Sequence, residues 1–138
     1  LESLSTLSRV VLPIHHSLKN KLIEISLYER VPKNIELIEP LPYSEMLFLI
    51  KNSMGVITDS GGLQKDSFWL EKPTLTIREN TEWRETIECG QNILVNEFPV
   101  NLIDKFNSIN ITDINRQDSF GNGNAATNIM NKVKEILE

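Results

Sequence analysis

The sequence predicts an α/β fold in which a largely parallel sheet is covered on both faces by helices. Short apolar runs rich in β-branched residues alternate with stretches whose apolar residues recur at helical spacing. The connections between them are short, which favours βαβ units and therefore parallel strands. A chain of 138 residues with 40% hydrophobic content can bury one core, so residues 1–138 are interpreted as one domain.

The first half of the chain predicts two strand–helix pairs. A strand is predicted over residues 9–14, "RVVLPI", and a second strand over residues 34–40, which Pro40 closes. The first helix is predicted over residues 16–29 and the second over residues 43–53. In the first helix, helical spacing places these residues on one stripe: Leu18, Leu22, Ile25 and Tyr28. In the second helix, Met46, Leu47 and Ile50 are predicted to face inward.

The middle of the chain continues the alternation. "MGVIT", residues 54–58, is predicted as a central strand, and residues 62–71 as a helix that stops before Pro73. Phe68 and Trp69 of this helix are assigned to the core. A further strand is predicted over residues 73–77, "PTLTI".

The last part predicts three helices and one strand. A helix over residues 81–90 would have Thr81 as its N-cap and Gly90 at its end. The strand over residues 92–95 follows, and then a helix over residues 99–109 with Pro99 near its start. The final helix, residues 124–137, places these residues on one stripe: Ala126, Ile129, Val133, Ile136 and Leu137.

Composition excludes several classes of function. A net charge of −5 and a pI near 5.1 argue against nucleic acid or an anionic membrane as a partner. Cys89 is the only cysteine, which excludes an intrachain disulfide and a multi-cysteine metal site. No apolar stretch approaches the roughly 20 residues that span a bilayer. No secretory signal is visible, so we expect a cytoplasmic location, and the start at Leu1 leads us to expect a chain cut from something longer.

The stretch "TDSGGLQKDS", residues 58–67, is the most informative about function. A strand ends at Thr58 and a helix begins near Gly61 or Gly62, so unpaired amides meet the positive end of the helix dipole. Glycine lacks a Cβ, which lets an anion approach the backbone, and Ser60 can cap the helix or donate to a phosphate oxygen. Asp66 lies one turn after Gly62, roughly 6 Å along the helix, where a carboxylate can bind ribose hydroxyls. The pattern predicts a site for a nucleoside diphosphate, and a plain glycine-rich turn explains it equally well.

A longer series of motifs is more specific. Residues 38–95 contain "EP…Y", "TDSGG.Q", "KP", Arg78, "TE..E" and "CGQN.LV", and the chain also has "PIHHS" at 13–17 and "FGNGNA" at 120–125. This series resembles the C-terminal domain of the non-hydrolysing UDP-N-acetylglucosamine 2-epimerases. The resemblance covers essentially the whole chain.

The resemblance implies a Rossmann-like three-layer αβα domain, the C-terminal half of a two-domain fold of the glycosyltransferase-B type. The implied reaction inverts C2 of a UDP-acetamido sugar by elimination and re-addition of UDP, for surface polysaccharide synthesis. It implies no cofactor and no metal, and a homodimer for the full-length protein. Because the residues that move protons at C2 lie mainly in an N-terminal domain absent from this chain, the isolated chain is expected to be inactive.

The resemblance also assigns site residues. The UDP-binding set that it implies is Met46, Ser60, Gly61, Gly62, Gln64, Asp66, Arg78, Thr81 and Glu82. His15 matches a histidine with a regulatory role in some members, and a plain structural role is favoured over it. Trp83 is a departure, because many members have a substrate-binding arginine there and the "TEW" variant resembles enzymes for modified UDP-sugars such as diacetamido uronic acids.

Two other functions stay open at this point. A glycosyltransferase domain of the same architecture would bind UDP at the same turn and transfer the sugar to an acceptor. A non-catalytic module would bind the nucleotide sugar without turnover. The hexosamine is not defined by the sequence.

Overall fold

The strands of the protein are parallel, as the sequence predicts. The computed structural model describes residues 8–97, 101–112 and 120–137. Its strands are β1 (Val10–Pro13), β2 (Ile35–Ile38), β3 (Val56–Thr58), β4 (Thr74–Thr76) and β5 (Asn92–Leu94). Each lies inside a predicted strand, and a helix separates each strand from the next in the chain, which confirms the α/β class.

The helices follow the predicted order but are shorter than predicted. They are α1 (His16–Glu24), α2 (Tyr43–Lys51), α3 (Gly61–Trp69), α4 (Arg84–Glu88), α5 (Leu102–Asn107) and α6 (Ala125–Leu137), with a short 3-10 helix at Tyr28–Arg30. The first helix stops early because Ser26 adopts a left-handed φ of 55°. Gly90, with φ of 83°, follows α4 as predicted. Pro99, the predicted start of the fifth helix, lies outside the described residues.

The hydrogen bonding divides the strands into two sheets, where the sequence predicts one. β1 pairs with β2 from Val10 opposite Ile35 onward, and β4 lies between β3 and β5. The segments that lead into β1 and β3 lie side by side, because Ser8 Oγ is 3.6 Å from Met54 Sδ. All three strands of the second sheet end at the same edge, which is where the "TDSGG" stretch begins.

The core centres on β4 and α3. Leu75 of β4 is fully buried and Phe68 of α3 is 1% exposed. Thr74 and Thr76 are buried as well, and Thr76 Oγ1 donates to Asn92 Oδ1 at 2.8 Å, so a buried hydroxyl is satisfied across the sheet. The buried apolar residues of the described chain are Ile14, Ile35, Ile50, Phe68, Leu75 and Val95.

The assignment of Trp69 to the core was wrong, and the apolar stripes of two helices are largely exposed. Trp69 is 56% exposed, because it follows Phe68 by one residue and therefore faces away from the sheet. Leu18 and Ile25 of the first predicted stripe are 46% and 48% exposed, and α1 has no buried residue. Every residue of α6 is exposed, so its predicted apolar stripe exists but has no cover among the described residues.

Candidate functional site

The candidate site begins at the carboxyl end of β3. Ser60 has extended backbone dihedrals (φ −82°, ψ 126°), and its Oγ accepts a long hydrogen bond of 3.5 Å from the amide of Leu63. Thr58 Oγ1 accepts a hydrogen bond from the amide of Ser60 at 3.0 Å, which fixes the turn between strand and helix. Ser60 therefore caps α3, which is one of the two roles that the sequence left open for it.

The first two amides of α3 are free. In the described part of the chain, the N–H groups of Gly61 and Gly62 donate no hydrogen bond. A Cβ on Gly62 would meet only Ser60 Oγ, at 3.9 Å, so the space beside this residue is open. Unpaired amides at the positive end of a helix dipole attract anions.

A carboxylate of the chain itself lies beside Gly61. A Cβ on Gly61 would collide with Glu82 Oε1. The other oxygen of this carboxylate, Oε2, accepts a hydrogen bond from Arg78 Nη1 at 2.9 Å. The Glu82 side chain is 51% exposed and the Arg78 side chain is 33% exposed. A negatively charged side chain thus already lies at the N-terminus of α3, where the helix dipole favours it. Arg78 and Glu82, both predicted as site residues, therefore lie next to the glycine turn.

An aromatic cluster with a cation borders the same glycine. Trp83 Nε1 lies 3.5 Å from the position that a Cβ on Gly61 would occupy. Lys65 Nζ lies 4.7 Å from the centre of the Trp83 ring, and the Phe120 ring packs 6.0 Å from Trp83 and 5.0 Å from Phe68. The sequence analysis did not identify Lys65 as a site residue, although Lys65 follows Gly61 by four residues and therefore shares its helix face.

Gln64 is not available to a ligand, which corrects its predicted role. Its side chain is 1% exposed. Its Oε1 accepts hydrogen bonds from Thr81 Oγ1 at 2.6 Å and from Asn92 Nδ2 at 3.3 Å, and its Nε2 donates to the carbonyl of Ser60 at 3.4 Å. Gln64 therefore ties α3 to β5 and to the segment before α4, and it supports the site from behind.

Thr81 is not the N-cap of α4, because its hydroxyl has other partners. Thr81 Oγ1 donates to Gln64 and accepts a hydrogen bond from the amide of Trp83 at 3.1 Å. The helix starts three residues later than predicted, at Arg84, and Trp83 occupies the capping position without a side-chain cap. Thr81 is thereby part of the support for the site, together with Gln64.

Asp66 has a partner that the sequence analysis did not identify. Asp66 Oδ1 accepts a hydrogen bond from Tyr43 Oη at 3.0 Å. This bond and the negative charge of Asp66 raise the pKa of Tyr43 above its ordinary value. Met46 is half-buried one turn after Tyr43 on α2, and Asp66 is half-buried one turn after Gly62. Tyr43 is the tyrosine of the quoted "EP…Y" motif, so a signal was present.

His15 and the remaining surface lie apart from this cluster. His15 caps α1, because its Nδ1 accepts from the amide of Ser17 at 3.3 Å. Its predicted regulatory role stays a prediction.

A groove of about 380 Å³ follows α2 and contains none of the predicted site residues. Among residues 8–97, 101–112 and 120–137, no three histidine, cysteine or acidic side chains come together as metal ligands. No helix within those ranges has the length and apolar character to cross a membrane.

Free amides at a helix N-terminus, beside the carboxyl end of a parallel strand, define this protein as an α/β domain with a candidate anion site. Comparison with known protein families shows to which family this α/β domain belongs. Residues 1–134 match the family model described as UDP-N-acetylglucosamine 2-epimerase, and the chain belongs to that family.

Several relatives show how much of the family's length is present. A homolog of UDP-N-acetylglucosamine 2-epimerase from Methanococcus maripaludis is 32% identical over 93% of this chain and 36% of its own length. The solved UDP-GlcNAc 2-epimerase of Methanocaldococcus jannaschii, in complex with UDP-GlcNAc and UDP, has a TM-score of 0.75 and 35% identity, over 93% of this chain and 36% of its own. The Neisseria meningitidis enzyme bound to UDP-GlcNAc has a TM-score of 0.63 and 28% identity, over 91% of this chain and 36% of its own. The chain therefore spans about a third of the length of these relatives.

Proposed function

We propose that this chain is the UDP-binding C-terminal part of a UDP-N-acetylglucosamine 2-epimerase. The observation that carries the proposal is the pair of free amides at Gly61 and Gly62, in a chain whose family includes a member solved with UDP-GlcNAc and UDP. Family membership favours epimerisation over the two other functions that the sequence left open, glycosyl transfer and binding without turnover.

The diphosphate binds at the N-terminus of α3. One phosphate accepts hydrogen bonds from the amides of Gly61 and Gly62, and Ser60 Oγ is close enough to the turn to donate to it. The Glu82 carboxylate beside Gly61 repels this phosphate. Because its side chain is half exposed, Glu82 can move away from Gly61 when the ligand binds, and its ion pair with Arg78 is then broken. The guanidinium of Arg78 then becomes a partner for the phosphate, and the Glu82 carboxylate can accept hydrogen bonds from an O–H or N–H group of the ligand's sugar.

The nucleoside extends along the first turns of α3. Asp66 accepts hydrogen bonds from the ribose hydroxyls, and the half-buried Met46 of α2 packs near the uracil. The Asp66 side chain is well suited to this role, because one of its oxygens is already fixed by Tyr43.

The chemistry takes place between this part and the rest of the enzyme. A base takes the proton from C2 as the bond between C1 and the UDP oxygen breaks, which gives a 2-acetamidoglucal and free UDP. C2 then receives a proton on the opposite face, and a phosphate oxygen of UDP re-forms the bond to C1. The proposed role of this chain is to hold the leaving UDP, so that re-addition is effectively intramolecular. The full-length protein is proposed to act in the cytoplasm as a homodimer, in surface polysaccharide synthesis.

A second substrate has support from a specific relative. The UDP-2,3-diacetamido-2,3-dideoxy-D-glucuronate 2-epimerase of Pseudomonas aeruginosa is 41% identical over 62% of this chain. Together with Trp83 in the "TEW" variant, this makes a diacetamido uronic acid the alternative to the N-acetylhexosamine.

The proposal is tested by calorimetric titration of the chain with UDP and with uridine. We expect UDP to bind and Asp66→Asn to weaken that binding by about tenfold, because one of the two oxygens that accept from ribose is replaced by an NH2 donor and the negative charge is lost. Asp59→Asn is the matched control, since Asp59 is exposed beside the turn and its loss removes the same charge. Equal affinity of all three proteins, or the absence of binding, would contradict the site.

A further inference from the structure

The side chain of Trp83 contains a buried hydrogen-bond donor with no acceptor. Its Nε1 is inaccessible to solvent and has no partner among the described residues. An unpaired buried N–H is costly, so native proteins rarely leave one without a partner. A ligand that brings an acceptor would remove this cost.

The position of this donor identifies the acceptor. Nε1 lies beside Gly61, where the amide of Gly61 is also unpaired and the space beside Gly62 is open. Glu82 Oε1 lies beside Gly61 as well, so this half-exposed carboxylate has to move before a ligand reaches the two donors, one from the backbone of α3 and one from the residue before α4. A phosphate oxygen can accept hydrogen bonds from both.

The surroundings of the ring favour a negative partner. Lys65 Nζ lies over the Trp83 ring at 4.7 Å and also 5.6 Å from the centre of the Phe120 ring, so a positive charge is held close to the indole. Phe120 packs against the ring and limits its movement. The indole is therefore held in place before any ligand arrives, which lowers the entropy lost on binding.

We propose that the indole N–H of Trp83 donates a hydrogen bond to the diphosphate of the bound nucleotide. This inference rests on the proposed UDP site and adds a residue to it. An indole offers one directed donor where a guanidinium offers five, so Trp83 selects one orientation of the phosphate. Trp83 is thus a specificity residue of this chain, and Lys65 supplies the charge that an indole lacks.

The test uses the two indole N–H signals in a proton–nitrogen NMR spectrum, because Trp69 and Trp83 are the only tryptophans of the sequence. Trp83→Phe removes one signal and thereby assigns both. We expect UDP to shift the Trp83 signal, uridine to leave it unchanged, and the Trp69 signal to stay in place. We also expect Trp83→Phe to weaken UDP binding about tenfold or more, and the matched Trp69→Phe to leave it unchanged.

The outcomes show whether the Trp83 inference fails alone or together with the proposed UDP site. If UDP binds and shifts the amides of Gly61 and Gly62 but not the Trp83 indole, the inference is overturned and the site stands. Equal affinity of Trp83→Phe and the parent chain overturns it as well. If uridine moves the indole signal as much as UDP does, the diphosphate is not its partner. The absence of any UDP-dependent shift would overturn both.

Discussion

At the scale of single residues, the turn after β3 concentrates groups that are not paired within the chain. The amides of Gly61 and Gly62 and the indole N–H of Trp83 all lack acceptors in the described residues. Elsewhere in the same region, buried polar groups such as Gln64 and Asn92 have several partners. Among the residues described, Ser67 Oγ and Glu85 Oε2 are also buried without a partner, and of these atoms Trp83 Nε1 is the one that lies beside the free amide of Gly61.

Tyr43 offers a test of the contact that fixes Asp66. The hydrogen bond to Asp66 and the charge of Asp66 raise the Tyr43 pKa above 10.0. The folded chain thus keeps this phenol neutral to a higher pH than the unfolded chain does. Its contribution to stability is fully present below about pH 10 and is lost as the pH rises through the folded-state pKa.

We expect Asp66→Asn to lower the pH at which Tyr43 ionises. The measurement is ultraviolet titration of the phenolate in a Tyr28→Phe background, where Tyr43 is the only tyrosine. The parent background chain is the control. An unchanged titration midpoint in the Asp66→Asn variant would mean that the contact between Tyr43 and Asp66 does not persist in solution.

At the scale of elements, Gln64 joins three parts of the structure. It links α3, β5 and the segment before α4 through hydrogen bonds to the carbonyl of Ser60, to Asn92 and to Thr81. Because Ser60 caps α3 and Thr81 is two residues from Trp83, this single side chain holds the two sides of the candidate site together.

Gln64→Leu tests this role. Leucine fills a similar volume but leaves the hydroxyl of Thr81 and the amide of Asn92 without one of their partners, so we expect a loss of roughly 2–3 kcal/mol in the free energy of unfolding. Urea denaturation measures it. Asn131→Leu on the exposed helix α6 is the control and should stay within about 0.5 kcal/mol. Equal midpoints for the two variants would show that the network around Gln64 does not stabilise the fold.

The order of elements was predictable because each has a local signal, whereas several of their boundaries depend on long-range contacts. Alternation of β-branched runs with helical stripes located each strand. Thr81 has the composition of an N-cap, but its hydroxyl bonds to Gln64, seventeen residues earlier, and no local pattern predicts that. Ser60 was predictable because its capping partner, Leu63, is a near neighbour.

The same distinction explains the candidate site. Gly61, Gly62 and Asp66 follow from spacing along one helix, so the sequence predicted them together. Tyr43, Trp83 and Phe120 come from other parts of the chain, and only the folded structure brings them to α3. Gln64 was assigned to the ligand because a polar side chain was interpreted as exposed. It lies instead on the buried face of α3, which it shares with Phe68 four residues later.

At the scale of the whole molecule, the chain exposes apolar surface that its core does not use. On α6, the exposed fractions of Ile129, Ile136 and Leu137 are 63%, 74% and 81%. The chain spans about a third of the length of its relatives, for example 36% of the Methanocaldococcus jannaschii enzyme. About two thirds of the length of such a relative therefore has no counterpart in these 138 residues.

We expect the chain alone to bind UDP and to show no epimerase activity. Our proposal places the proton-transfer groups and the opposite wall of the cleft in the part of the enzyme that these 138 residues do not match, and both contribute to catalysis. The measurement is incubation with UDP-N-acetylglucosamine, followed by analysis of the C2-epimer pool. The Methanocaldococcus jannaschii relative serves as the positive control. Sustained formation of the epimer by this chain would show that it carries a complete active site.

The central claim is that the first amides of α3 bind the diphosphate, and the backbone amide signals of Gly61 and Gly62 test it most directly. In a proton–nitrogen NMR titration, we predict that UDP shifts both signals and that uridine shifts neither. In Gly62→Ala the added methyl occupies the open space, so UDP binding weakens while the chain stays folded. UDP binding that leaves both glycine signals in place, or affinity unchanged by Gly62→Ala, would contradict the claim.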